Sequence, residues 1–180
     1  MRNWTVPFLE DIHEFNETFH KPESNYPVIP KNYQFILDTI QEEKDELEEA
    51  FKQKDIVEVA DALADLLYFV GNGILATGLA DRFQKIWKEV QASNMSKVCT
   101  SEEEAKASVE YMQDMKGVPY YYNEWVNKEG KKYWIVYRAS DNKAGKCVNW
   151  FEPDLKQFFT QEEIENASTG TISLSNFTND

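Results

Sequence analysis

The sequence predicts a mainly α fold: a helical bundle with a β-hairpin appended on its C-terminal side. Two observations carry this reading. Up to Met115, apolar residues recur at helical spacing in segments punctuated by proline, glycine and capping residues. After Gly117 the pattern switches to aromatic and β-branched runs, Tyr120–Val126 and Tyr133–Tyr137, separated by Asn127-Lys128-Glu129-Gly130, which reads as a hairpin.

The spacing of Ile12, Phe15 and Phe19 places a first helix over about Val6–His20, and Pro22, Pro27 and Pro30 then mark Lys21–Pro30 as a connector. A second helix is expected over about Lys31–Gln53 and a third over Ile56–Thr77. Lys54-Asp55 forms the turn between them, with Asp55 as N-cap and Gly78 closing the third helix. A fourth helix covers about Ala80–Gln91, and Ser101, with Glu104 three residues on, caps an acidic helix through about Met115. Cys147–Phe159 can tie the hairpin back through Trp150, Phe151, Leu155 and Phe158. Ala167–Asp180 is rich in Ser, Thr and Asn and is expected to be mobile. The organisation this implies is a helical domain over 1–116, a hairpin and extension over 117–160 packed on it, and a short helix with a mobile tail over 161–180.

At 180 residues and 42% hydrophobic content the chain can build one domain with a real core. Thirty-two acidic against 19 basic residues give a net charge of −13, which repels nucleic-acid backbone and argues against DNA or RNA as partner. A nucleotide ligand remains open, because bound divalent cations reverse the local sign. Cys99 and Cys147 lack metal-ligand spacing and read as reduced thiols of a cytoplasmic protein. No apolar run approaches the ~18 residues of a membrane span, and Met1–Glu10 lacks the plan of a signal peptide. No membrane association is expected.

Six of the eight residues Glu42–Glu49 are acidic. On a helical wheel of ~100° per residue, Ile36, Ile40, Leu47 and Ala50 define an apolar stripe. Glu43 falls in that stripe, Glu46 on its edge and Glu42 farther round, while Asp45, Glu48 and Glu49 point to solvent. On the third helix Val57, Glu58, Asp61, Asp65, Tyr68 and Asn72 share one stripe, and the other faces are apolar. A helix apolar nearly all round is expected to be buried, carrying its carboxylates inward. Clustered carboxylates need a compensating cation. Lys and Arg are scarce in these helices, and all-oxygen donors suit Mg²⁺, with Mn²⁺ as the alternative. Tyr68 and Asn72 are candidates to touch a base or ribose, or else belong to the core.

The pattern Glu42-Glu43-x-x-Glu46 followed by Glu58-x-x-Asp61 resembles the signature of the all-α NTP pyrophosphatases, which include MazG-type enzymes, dimeric dUTPases and phosphoribosyl-ATP pyrophosphohydrolases. Asp61-Ala62-Leu63-Ala64-Asp65-Leu66-Leu67-Tyr68 and Ser93-Asn94-Met95-Ser96-Lys97 look like the phosphoribosyl-ATP pyrophosphohydrolase-like branch, and the likeness covers about Phe8–Lys97. It implies Glu43, Glu46, Asp61 and Asp65 as metal ligands, with Glu42 and Glu58 as ligands or water-orienting groups. MazG-type relatives carry a Glu where Ala62 stands here, so either Glu58 and Asp61 are the working pair or Asp61 reaches in from one turn earlier. The implied activity is cleavage of a nucleoside triphosphate to monophosphate and pyrophosphate, with Glu43 or Glu46 activating water. Lys97 would contact phosphate, and Asn94 would contact substrate or cap the fourth helix. A homodimer or higher homo-oligomer is implied, and a house-cleaning role on a modified nucleotide stands beside dUTP and dCTP as substrates.

Two other readings compete. Glu10-x-x-His13 and Glu17-x-x-His20 have the spacing of di-iron carboxylate bundles, but both fall on one helix where such bundles need two. A non-catalytic acidic interaction module would use the aromatic hairpin residues, among them Tyr121, Trp125 and Tyr137, as its contact surface.

Overall fold

The computed structural model describes residues 7–169. In chain order these form α1 (Pro7–Thr18), α2 (Tyr33–Gln53), α3 (Ile56–Ala76), α4 (Ala80–Met95), α5 (Glu102–Lys116), β1 (Tyr120–Val126), β2 (Lys132–Arg138), a 3-10 turn (Leu155–Phe158) and α6 (Gln161–Thr169). The mainly helical fold with one antiparallel hairpin is the one expected from the sequence. Of the tail expected to be mobile, Ala167–Thr169 end α6, and the rest lies outside the described residues.

The chain forms two compact units, one from the residues up to Lys85 together with those from Lys156 onward, the other from Ile86–Leu155. Composition places a boundary at Gly117 instead. The difference arises because α5 buries Ala105, Ser108 and Met112 and joins the hairpin in one cluster, where Cys99, Ala105, Val136 and Cys147 pack with Val109, Tyr120, Tyr122 and Trp134.

In the first unit, α2 ends on Lys54 in the left-handed region, at φ 58°. Asp55 then starts α3 by accepting hydrogen bonds from Val57 N (2.9 Å) and Glu58 N (3.3 Å). A two-residue link of this kind folds α3 straight back along α2. The C-terminal half of α3 meets α1: Leu9, Ile12, Ile74 and Leu75 form the buried core, with Phe8, Tyr68, Leu79 and Phe83 against it. Gly71 permits this, since a Cβ there would overlap Ile12 Cδ1. The connector runs beside the end of α3, with Ser24 N donating to Leu75 O and Val28 N to Thr77 O, both at 3.1 Å. Arg82 holds the returning chain. It donates to Phe158 O at 2.8 Å, pairs bidentately with Glu163 at 2.9 and 3.1 Å, and lies over the Phe159 ring. That pairing holds the Glu163 carboxyl below its ordinary value.

In the second unit β1 and β2 pair in register from Tyr120↔Arg138 to Val126↔Lys132. Asn127 Oδ1 closes the turn by accepting from Glu129 N and Lys131 N, and Gly130 takes φ +81°. Cys99 exchanges backbone hydrogen bonds with Trp134, at 2.8 and 3.0 Å, along the outer edge of β2. Ser101 caps α5 as expected, while the Glu104 carboxylate reaches one residue past it, to Thr100 N at 2.7 Å.

Two expectations need correction. The fourth helix continues past Gln91 to Met95. Asn94 is therefore inside its last turn, and Ser93 is buried, donating to Phe151 O at 2.8 Å. The third helix is not buried all round. Val59, Ala62, Gly71, Ile74 and Leu75 are enclosed, whereas Ile56, Val57, Leu63, Leu67 and Val70 are exposed. Among the described residues α1 and α2 pack on α3, and they leave these side chains uncovered. By length and composition α3 could also cross a membrane, although Asp61 and Asp65 interrupt its apolar run.

Gly78 sits at φ +69°, and a Cβ on it would run into the Tyr26 carbonyl. Gly78→Ala should therefore lower the unfolding free energy by about 2 kcal/mol or more, read as a fall in the urea midpoint at unchanged m value.

Candidate active site

The site is built on the α2–α3 hairpin. Glu43 and Asp65 lie about equally far from the Lys54–Asp55 turn, so folding back sets them abreast. Glu43 is part-buried, and its Oε2 is shut off from solvent with no hydrogen-bond partner. Burial, and then the charges of Glu46, Asp65, Glu42 and Asp61, push its carboxyl above the ordinary value of 4.5. These five carboxylates thus share one region of the first unit.

Their exposure differs from the inward line that the wheel implies. Asp65 is part-buried, while Glu42, Glu46, Glu58 and Asp61 are exposed, because the described helices leave that side of α3 uncovered. Asp61 and Asp65 both act on Glu43. Ala62 is buried beside Val59 on another face. Among the described residues no three of these carboxylates bring oxygens within 4.8 Å of one another. The outward-facing acids take the helix cations: Lys44 pairs with Asp45 at 3.2 Å, and Lys52 with Glu48 at 2.9 Å. No lysine or arginine appears among the charges acting most strongly on Glu43.

One to two turns along the same helices, a cavity of about 360 Å³ opens between α1, the connector, α2 and α3. Phe15, Phe35, Tyr68 and Phe69 give it aromatic walls, and Thr39 and Asn72 add polar groups. Phe15 meets Tyr68 edge-on, with centroids 5.5 Å apart. Tyr68 and Asn72, singled out on the stripe of Asp65, are thus cavity lining, and burial with the nearby Asp11 charge raises the Tyr68 hydroxyl pKa.

Sequence reasoning missed the wall contributed by α1. Asn16 is 2% exposed and lines the cavity. Its Nδ2 donates to Glu23 Oε1 at 3.0 Å, and Glu23 Oε2 lies 2.8 Å from His13 Nδ1. His13, from the first of the two Glu-x-x-His spacings, is part of this network, with Glu17 3.4 Å from its Nε2. Only tertiary folding reveals it, because Glu23 comes from the connector.

Asn94 and Lys97 belong to the second unit, where Lys97 Nζ donates to Asn94 Oδ1 at 2.7 Å. Both line a cavity of about 590 Å³ with Lys131, Lys132 and Tyr133. The cysteines, free and buried, are closer than their spacing suggested: both Sγ atoms and a Glu104 oxygen lie within 4.8 Å. Glu104 already accepts from Thr100 and Asn149, and burial foremost pushes the Cys99 thiol up to about 12, which leaves it inert.

The first unit thus sets a helical hairpin with neighbouring carboxylates beside a cavity. Residues 12–94 match the family described as phosphoribosyl-ATP pyrophosphohydrolase. The match is confined to this part of the chain, and the matched family lies within the MazG-like all-α superfamily. No curated protein matches the chain significantly.

Because the Glu43 carboxyl is raised in the fold, the folded chain keeps a proton that the unfolded chain releases. This contribution to stability is therefore lost as pH climbs from the ordinary value through the raised one. In chelator-treated protein, Glu43→Gln should melt higher than the native chain at neutral pH, with the gap closing in acid. Thermal melts across that pH range check this.

Proposed function

We propose that the first unit is a Mg²⁺-dependent nucleoside triphosphate pyrophosphohydrolase that cleaves between the α and β phosphates to release monophosphate and pyrophosphate. The observation that carries this is the enclosed, unpaired Glu43 Oε2 within a carboxylate group whose helix lysines are engaged elsewhere. An unpaired buried charge is costly, and a hard divalent cation with oxygen donors removes the cost.

Glu43, Glu46, Asp61 and Asp65 would hold Mg²⁺, or Mn²⁺ in its place, with Glu42 and Glu58 at the margin. When bound, the ion neutralises charge on the triphosphate oxygens. Glu43 or Glu46 accepts a proton from the attacking water, and the aromatic cavity holds the base, fixing the α-phosphorus relative to the carboxylates. With a modified nucleotide as substrate, such a reaction would serve to clear unwanted nucleotides from the cytoplasmic pool. Glu46→Ala and Asp61→Ala should each lower pyrophosphate release at least ~100-fold with helix content unchanged by circular dichroism. Orthophosphate as the product from the native chain would refute the α–β assignment.

We further propose that a second copy of the chain covers the exposed side of the hairpin. Phe51, Ile56, Val57 and Leu63 are between 50% and 76% exposed, an apolar surplus typical of homodimer interfaces. Light scattering should give at least twice the chain mass, and Leu63→Glu should shift it to the monomer. A native chain that is monomeric at tens of micromolar would count against this arrangement.

A further inference from the structure

The cavity beside the carboxylates is biased in its hydrogen bonding, and the bias selects among bases. Asn16 has an amide that could in principle present either end. Glu23 removes the choice: an ionised carboxylate only accepts, so the Asn16 amide must turn its NH₂ toward Glu23 Oε1, 3.0 Å away. Oδ1 is then the end left over, enclosed and without a partner. Glu23 is itself held on its other oxygen by His13 Nδ1 at 2.8 Å. Thr39 is fixed in the same sense. Its hydroxyl lies 3.0 Å from Phe35 O and 3.1 Å from Ile36 O, both acceptors, so its hydrogen is spent and only lone pairs remain for a ligand. Asn16, whose unpartnered end is Oδ1, and the acceptor Thr39 thus line the cavity between aromatic walls, together with Lys21 and Asn32, while the Asn72 amide can turn to suit either partner.

We infer that this cavity takes a nucleobase with an exocyclic amine, of cytosine or adenine type, in preference to one with an oxo group at that position, and that Asn16 is the residue that decides it. The inference rests on the pyrophosphohydrolase reading for placing a nucleotide here, and it names that site's substrate class. An amine supplies N–H donors to Asn16 Oδ1. An oxo group brings a further acceptor against an acceptor that cannot rotate, leaving both without a hydrogen. Sites built around such a buried polar contact reject the analogue lacking it more strongly than apolar pockets do.

The test separates binding from turnover. Calorimetric affinities of CMP against UMP, and of AMP against IMP, need neither metal nor catalysis. The native chain should favour the amino member of each pair at least about tenfold. Asn16→Ala should bring both ratios to within about twofold, and Glu23→Gln, whose amide can also donate, should narrow them by freeing Asn16 to turn. If Asn16→Ala does not fold, Glu23→Gln decides. Equal affinity for amino and oxo members, no binding of either pair, or a preference that survives in the variants overturns the inference. Pyrophosphate release from CTP, UTP, ATP and ITP is measured in parallel. No release alongside an Asn16-dependent amino preference would sink the hydrolase reading and leave the base selection standing. Release without that preference would do the reverse.

Discussion

An uncompensated cluster of negative charge on the α2–α3 hairpin is the constraint around which the first unit is arranged. Glu43 places an enclosed oxygen beside the charges of Glu46, Asp65, Glu42 and Asp61, and neighbours of like sign oppose the packing of the two helices. The hairpin is closed by other means. The Lys54–Asp55 link and the Asp55 cap force the return of the chain, and small buried residues, Ala50, Val59 and Ala62, let the helices approach. Cohesion is concentrated at the opposite end of α3, where α1 docks on Gly71, Ile74 and Leu75. One half of α3 therefore holds the fold, and the other half carries charge that folding alone leaves unbalanced.

On the proposed function, that division would let one pair of helices serve both ends of a nucleotide. Moving along α3 from Asp65 toward its C-terminus, the same stripe passes Tyr68 and then Asn72. On α2 the corresponding path from Glu43 runs back through Thr39 and Ile36. Charge gives way to aromatic and neutral polar groups where α1 begins to cover the helices. The triphosphate would meet oxygen donors in the open region, and the base would meet oriented acceptors in the sheltered one. Burial would make the second contact selective, because an unmatched hydrogen-bonding group there cannot turn to water.

Much of this was legible from local signals. Asp55 and Ser101 declare the starts of α3 and α5, Gly117 ends α5, and Asn127 with Gly130 declares the hairpin turn. Periodicity also separated Glu43 from Asp45, Glu48 and Glu49, which the structure leaves exposed and paired with lysine or glutamine. Features that depend on residues distant in sequence were not legible. Glu23 reaches Asn16 only once the connector has turned back, Cys99 approaches Cys147 only through the packing of α5 on β2, and Ser93 extends α4 by binding Phe151. The wheel of α3 separated an acidic stripe from apolar faces but misjudged their surroundings, since periodicity identifies an apolar face and says nothing of what covers it.

The apolar surplus of α3 and its carboxylate stripe are best understood together. A helix of this length and composition satisfies the bulk criteria for a membrane span, yet Glu58, Asp61 and Asp65 would enter hydrocarbon at a cost of a few kcal/mol each. In an aqueous oligomer the same two features are compatible. The stripe stays open to ions and phosphate, while Leu63 and Leu67 on the remaining circumference find another helix. Covering that side would also lower the local dielectric around Glu43, strengthening its repulsion from Glu46 and Asp65 and with it the pull on a bound cation. Assembly and metal binding would then reinforce each other, because both act on the charge that the single chain leaves unbalanced.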